Sequence, residues 1–229
     1  MNQRLALHVL ASGSRGNAAV VEDTATGKGV LVDCGICKRD FFARCDEAGF
    51  DPANLEAVLI THDHTDHTKG LGVVLRGLAK LGIEPAVFAD DAVRAASKEI
   101  IVLEGACDLR AFSSGDALSL AGMQVHAFRT SHDAASSCGF RVEADGDAVG
   151  FMTDTGIVTG EADEALRDVR ILALESNHVH SVQSLPCGDV RRRRERGRGR
   201  PPAEPMPPRA PPCTPLRRAR LFHVKQSGA

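Results

Sequence analysis

The residues best equipped for chemistry lie in one run, Thr61-His62-Asp63-His64-Thr65-Asp66-His67. Three imidazoles and two carboxylates fall within six residues, directly after the apolar stretch Leu55–Ile60. Neutral imidazole nitrogens and carboxylate oxygens suit Zn²⁺, Mn²⁺ and Fe²⁺. His62 and His64, two apart in an extended loop, can point to the same side. Asp66 and His67 would then open the helix that follows and face a second position. The bland alternative is a solvated loop capping that helix, but loops rarely hold histidines this densely without a metal.

Such a cluster needs a scaffold, and residues 1–178 read as one. Short apolar strands alternate with helical patterns and Gly/Asp turns. Strands are expected at Leu5–Leu10, Ala18–Glu22, Val30–Asp33, Leu55–Thr61 and Pro85–Phe88. A Gly-rich loop, Ser12–Asn17, follows the first. Helices are expected at Phe41–Ala48 and Leu71–Leu81, the latter with apolar residues at 71, 74, 75, 78 and 81, the spacing of one face. Asp90 can cap a further helix running to about Glu99. Ala117–Leu120 with Met123–Arg129, and Cys138–Glu143 with Ala148–Thr153, read as hairpins. A helix near Glu161–Asp168 leads to a strand at Ile171–Glu175. Strands occurring singly, in hairpins and between helices imply two mixed sheets covered by helices, an α/β (α+β) αββα sandwich.

After His178 the composition changes. The chain's net charge of −2 divides into 16 Lys+Arg against 27 Asp+Glu in residues 1–178, and 12 against 3 in residues 179–229. Nine of the eleven prolines lie between Pro186 and Pro215, beside the basic run Arg191–Arg194. No apolar period survives, so this stretch is expected to be a disordered tail. It reads either as a natural basic tail for nucleic acid or acidic lipid, or as the product of a translation frameshift, since Arg, Pro, Gly and Ala are what GC-rich codons yield in a wrong frame.

No segment has the length and apolarity of a membrane span, and the first ten residues lack a signal-peptide pattern. Seven scattered cysteines argue against a disulfide framework and for a reducing, cytoplasmic setting. Trp and Tyr are absent, leaving Phe and His as aromatic contacts. Nothing in the sequence specifies an oligomeric state.

The 62–67 run resembles the HxHxDH signature of the metallo-β-lactamase superfamily. The resemblance implies further site residues. Asp33, closing Val30-Leu31-Val32-Asp33, matches the family's early Asp that orders the metal loop. His132, in Thr130-Ser131-His132-Asp133, matches the next metal His. Asp154, in Thr153-Asp154-Thr155-Gly156, matches the bridging Asp. By resemblance, His62, His64 and His132 would bind one metal, and Asp66, His67 and Asp154 the other. The family adds one more His toward the C-terminus. Only His180 and His223 are available after residue 178, neither in a strand-loop context, and this favours the frameshift.

Two segments narrow the match. Leu10-Ala11-Ser12-Gly13-Ser14-Arg15-Gly16-Asn17 and Leu174-Glu175-Ser176-Asn177-His178 resemble the YycJ-like (WalJ-like) branch, which continues with an Asp and then a Gly-His-Leu-Ser-Asn-type motif. The similarity covers residues 4–178 and stops. It implies a DNA-processing phosphodiesterase or exonuclease with two divalent metal ions (Zn or Mn, with Fe a third option). A hydroxide held between the metals would attack phosphorus. Asp66 would orient it, and His178 would help the leaving group. The Ser12–Asn17 loop, through Ser12, Gly13, Ser14 and Asn17, could offer backbone N–H groups to a phosphate or could be only a tight turn. Cys34-Gly35-Ile36-Cys37 sits in a redox-like context, but Asp33-Cys34-Gly35 already fits the hydrolase pattern. The rival readings are an ester or thioester hydrolase on the same fold, and an inactive metal-binding remnant.

Overall fold

The computed structural model describes residues 3–175 and the strand Arg220–Val224. Two six-stranded sheets face one another. The first holds, in spatial and chain order, β1 (Leu5–Ala11), β2 (Ala18–Asp23), β3 (Lys28–Val32), β4 (Leu55–Leu59), β5 (Ala86–Asp90) and β6 (Leu109–Phe112). The second runs from β7 (Ala117–Leu120) through β8 (Met123–Arg129), β9 (Cys138–Ala144), β10 (Asp147–Met152) and β11 (Ile171–Glu175) to β12 (Arg220–Val224). The helices are α1 (Lys38–Ala48), α2 (Thr65–Thr68), α3 (Leu71–Ala79), α4 (Asp91–Ala96), α5 (Lys98–Ile101) and α6 (Gly160–Ala165).

The alternation of side chains along the strands generates the layers. Val21, Val30, Val32 and Leu59 on the first sheet meet Met123, Val125, Phe140, Val149 and Phe151 on the second. Their neighbours in sequence, Val20, Leu31 and Val58, face the other way and pack against Phe41, Cys45, Leu71, Val74 and Leu78 from α1 and α3. On the second sheet, Phe128 and Met152 are covered by Ala162 of α6, with Ala165 and Leu166 packed beside them. The result is the expected αββα sandwich. Strands β3 to β6 pair in parallel, so their C-terminal ends lie along one edge. Strand β10 and its parallel neighbour β11 do the same in the second sheet.

Both expected hairpins form. Ala121 and Gly122 (φ 53° and 78°), and Asp145 and Gly146 (φ 46° and 77°), supply the two left-handed residues that a tight two-residue turn requires.

Three elements depart from expectation. The helix expected from Asp90 to Glu99 is two helices, broken at Ser97 with φ −80° and ψ 115°. Asp90 does cap the first, accepting from Ala92 N at 2.8 Å. Buried Ser97 ends one helix through its N–H to Val93 O and starts the next through its own carbonyl, which accepts from Ile100 and Ile101. Strand β6 was not expected, because this edge strand has Arg110 and Ala111 exposed and no alternating pattern. Strand β12 lies inside the stretch expected to lack structure. Its Leu-Phe-His-Val core follows a basic run that masks it, and it pairs in parallel with the open edge of β11. The rest of residues 176–229, including His178 and His180, lies outside the described residues.

Candidate metal centre

The C-terminal ends of β3, β4, β8 and β10 deliver the site. Asp33 follows β3, the 61–67 run follows β4, His132 follows β8 and Asp154 follows β10. Asp33 and Asp154 both adopt left-handed backbone, φ 59° and 51°, a conformation uncommon for residues other than glycine and concentrated at functional sites.

The rings of His62, His64 and His132 form a triangle with centroids 4.7–4.8 Å apart. His132 Nε2 lies 3.1 Å from His64 Nδ1. On the other side of His62, the His67 ring is 4.1 Å away, and His67 Nε2 is 3.0 Å from Asp154 Oδ2. Two donor groups result, His62–His64–His132 and His62–His67–Asp154, with ligand atoms within 4.8 Å of one another in each. His62 belongs to both. Asp66 stands beside the second group, its Oδ2 3.7 Å from His67 Nε2.

A buried carboxylate sets the direction of two of these rings. Asp33 Oδ2 lies 2.8 Å from His67 Nδ1. An ionised carboxylate can only accept, so His67 carries its proton on Nδ1 and turns Nε2 toward Asp154. Asp33 also takes the Thr61 hydroxyl (2.9 and 3.0 Å) and Thr61 N (2.9 Å). With its proton committed, Thr61 Oγ1 can accept only from His62 Nδ1, 2.9 Å away. His62 Nε2 is thereby left as a lone-pair donor, and it is buried with no hydrogen-bond partner. A buried polar atom without a partner is costly. A cation at that point would satisfy it, so the donor set fits a divalent metal.

The electrostatics agree. Burial and the neighbouring His67 hold His62 neutral, far below the usual histidine range. Burial also opposes charge on His67, but Asp33 and Asp154 outweigh it and lift that ring to about 10. Without a metal, His67 is thus a cation whose Nε2 proton faces Asp154, and a metal ion there would take that proton's place, while His62 stays neutral and ready as ligand.

The Ser12–Asn17 loop reaches the site through Asn17. Its Nδ2 is 3.1 Å from Asp66 Oδ2 and 2.9 Å from His67 Nε2. Gly13 N donates to Asn17 Oδ1, Gly16 N to Gly13 O and Asn17 N to Asp66 O. Of the amides expected to cradle a phosphate, those of Gly13 and Asn17 are engaged inside the loop or with the metal-binding run, while Ser12 and Ser14 are exposed. Asn17 acts instead as a brace for Asp66 and His67.

Sequence reasoning missed two glycines that allow this bracing. A Cβ on Gly35 would meet Asp66 O at 1.5 Å, and one on Gly70 would meet Ile36 O at 1.8 Å. Cys34 N donates to His67 O, and Gly70 N to Cys34 O. The Cys34–Cys37 segment is thus a spacer in the wall of the site. Cys34 is buried with its thiol pushed far up by burial, and Cys37 is exposed. The bare clue in the sequence was a glycine next to each site segment.

The His132 loop is held independently. Asp63 Oδ1 accepts from Ala135 N at 2.9 Å, Cys138 N donates to Thr61 O, and Gly156 N donates to Ser131 O. Neighbours on β4 and β8–β10 are stitched together at the point where their histidines and Asp154 converge.

This sandwich and its His/Asp centre are those of a metallo-β-lactamase-fold protein, and the chain belongs to the β-lactamase superfamily, whose domain model matches residues 28–188. It is 31% identical over 180 residues to the exodeoxyribonuclease YycJ of Bacillus anthracis, covering 79% of this chain and 65% of that protein. It is 30% identical over 183 residues to the exodeoxyribonuclease WalJ of Streptococcus pneumoniae serotype 2, covering 79% and 64%. The chain therefore spans just under two thirds of these curated relatives. Among solved structures, the metallo-β-lactamase-fold protein YhfI of Bacillus subtilis superposes with a TM-score of 0.60 at 16% identity, over 75% of this chain and 70% of that one. Among the described residues, no helix is long and apolar enough to cross a membrane.

Proposed function

We propose that this chain is a dinuclear-metal-dependent hydrolase that cleaves DNA phosphodiesters as an exonuclease. The observation that carries the reading is the meeting of two donor groups at the buried, partnerless His62 Nε2. His62, His64 and His132 would hold one divalent ion. His67, Asp154 and Asp66 would hold the other, with His62 close enough to serve either. Zinc or manganese suits these donors best, with iron also compatible. Bound there, the ions would supply an acidified water and neutralise charge developing on the phosphoryl oxygens.

The chain's own groups do the rest. Asp33 and Thr61 fix the tautomers of His67 and His62. Asn17 holds Asp66, whose carboxylate is the base placed to orient the attacking water. His178 keeps its proposed role in protonating the leaving oxygen, although it lies outside the described residues. The relatives named as exodeoxyribonucleases support DNA as substrate. Five cysteines among the described residues are free, which supports a reducing cytoplasmic setting. We assign the activity to residues 1–178, and regard 179–229 as foreign to the domain, with residues 220–224 filling a sheet edge.

Incubation of the purified protein with Mn²⁺ or Zn²⁺ and end-labelled duplex DNA tests the proposal. Progressive release of nucleotides is expected. Cleavage of lactones or thioesters with intact DNA would move the substrate class to carboxylic esters. Absence of bound ion and of any hydrolysis would make the chain a remnant.

A further inference from the structure

We infer that Arg15 is a phosphate-contacting residue, gripping the substrate strand next to the phosphodiester that is cut. The inference rests on the proposed nuclease reading and adds a binding residue to it. Gly13 and Gly16 (φ 131° and 143°) bracket a tight turn closed by Gly16 N donating to Gly13 O at 2.9 Å. Ser14 and Arg15 form its exposed tip. The amides of residues 13, 16 and 17 are spent within the loop or on Asp66, which leaves the tip residues Ser14 and Arg15 to meet an anion.

Arg15 is suited to that. No ion pair or hydrogen bond engages its guanidinium among the described residues, which is equally true of Arg44, Arg76, Arg129 and Arg167, so its place on this loop is what sets Arg15 apart. The turn is also mounted on the site. Asn17, two residues on, touches both Asp66 and His67. Two residues of chain span at most about 7 Å, so the backbone of Arg15 is tethered close to the residue that touches the metal ligands. A planar guanidinium binds a phosphate through two parallel N–H donors. It also offsets the acidic charge of residues 1–178, which would otherwise repel a nucleic acid.

Binding of a duplex with phosphorothioate-blocked ends to the metal-loaded full chain, measured across a salt series, tests this. Arg15→Ala should bind about tenfold more weakly, and the slope of log affinity against log salt should fall by about one contact. Arg15→Lys should restore the slope but not all of the affinity. Metal content and melting temperature should match wild type in both. An unchanged slope in Arg15→Ala, with wild type binding normally, overturns the role of Arg15 and leaves the nuclease reading standing. Loss of metal in Arg15→Ala would likewise overturn it, by showing a structural role. Failure of the wild type to bind the duplex would overturn both.

Discussion

Asp33 and His67, 34 residues apart in sequence, are joined by a 2.8 Å contact between two fully buried side chains. The same carboxylate orients His62 through the Thr61 hydroxyl. One acid therefore fixes a ring on each side of the centre. Partners that orient a ligating histidine commonly control metal affinity by 10–100-fold. Asp33→Asn should reduce metal affinity by about that factor, read by calorimetric titration with Zn²⁺ or Mn²⁺. Asn tolerates left-handed backbone better than most residues, so this variant spares the turn and removes only the charge and one of the two acceptor oxygens. Asp33→Ala should also lower the melting temperature, because it adds strain at φ 59° and leaves Thr61 and His67 without a partner.

The sharing of His62 makes metal stoichiometry informative. His132 belongs to one donor group and Asp154 to the other, whereas His62 belongs to both. Plasma mass spectrometry of the purified protein should find two ions per wild-type chain. His132→Ala should retain one. His62→Ala should bind both weakly and lose them on dialysis. Equal losses in the two variants would mean that the groups do not act as separate sites.

How much of this was legible beforehand depends on the range of the interaction. Leu55–Leu59 is a buried parallel strand and reads as a continuous apolar run. The Asp145-Gly146 turn is written in its own dipeptide. The 62–67 cluster announces itself because its ligands are local. Ser97 did not, because a break there depends on which carbonyls its neighbours find. Asn17 was assigned to substrate, but its amide spans 49 and 50 residues to reach Asp66 and His67, a contact that no local pattern encodes. The double membership of His62 is likewise a product of folding, since spacing alone placed it with His64.

A second buried carboxylate, remote from the centre, governs acid stability. Burial would raise Asp147, but Arg170 (2.6 and 2.7 Å) and the amides of Leu5 and Ala148 hold it below the ordinary carboxylate range. A depressed carboxylate stabilises the fold fully above its unfolded value, about 3.9, and that contribution fades as pH falls through the lower folded value. Urea titrations should show it intact at pH 6 and declining below about pH 4. Asp147→Asn should be less stable at pH 7 by about 1–3 kcal/mol, the cost of weakening hydrogen bonds to a charged, half-buried Arg, and its stability should vary less with acid. A wild-type profile flat down to pH 3 would contradict this.

The packing of three loops around Asp66 predicts a sharp contrast between glycines. Gly35→Ala would drive a methyl into the Asp66 carbonyl, backbone against backbone, with no flexible side chain to yield. A cost of ~3 kcal/mol or more is expected, together with loss of bound metal. Gly49 closes α1 in left-handed backbone, φ 76°, with nothing within 4 Å of the added carbon. Gly49→Ala should cost only about 1–2 kcal/mol of backbone strain and leave metal binding intact. Chemical denaturation and metal analysis of the two variants separate steric crowding at the site from loss of glycine itself.

The junction near residue 178 makes a prediction about the gene. Strand β12 pairs with β11 so that His223 is level with Leu174, and Phe222 with Ala173. Leu174 belongs to the row packed beneath α6, whereas Ala173 belongs to the row between the sheets. His223 is thus level with Leu174 and, through it, with Met152, two residues before Asp154. If the tail arises from a shifted reading frame, another frame downstream of codon 178 should encode an Asp and then a Gly-His-Leu-Ser-like segment. Resequencing and translation of that DNA checks it. A chain continued in that frame should hold its second ion more tightly than this one, measured by competition with a chelator. The absence of such a segment from both alternative frames would make the basic tail an authentic part of the protein.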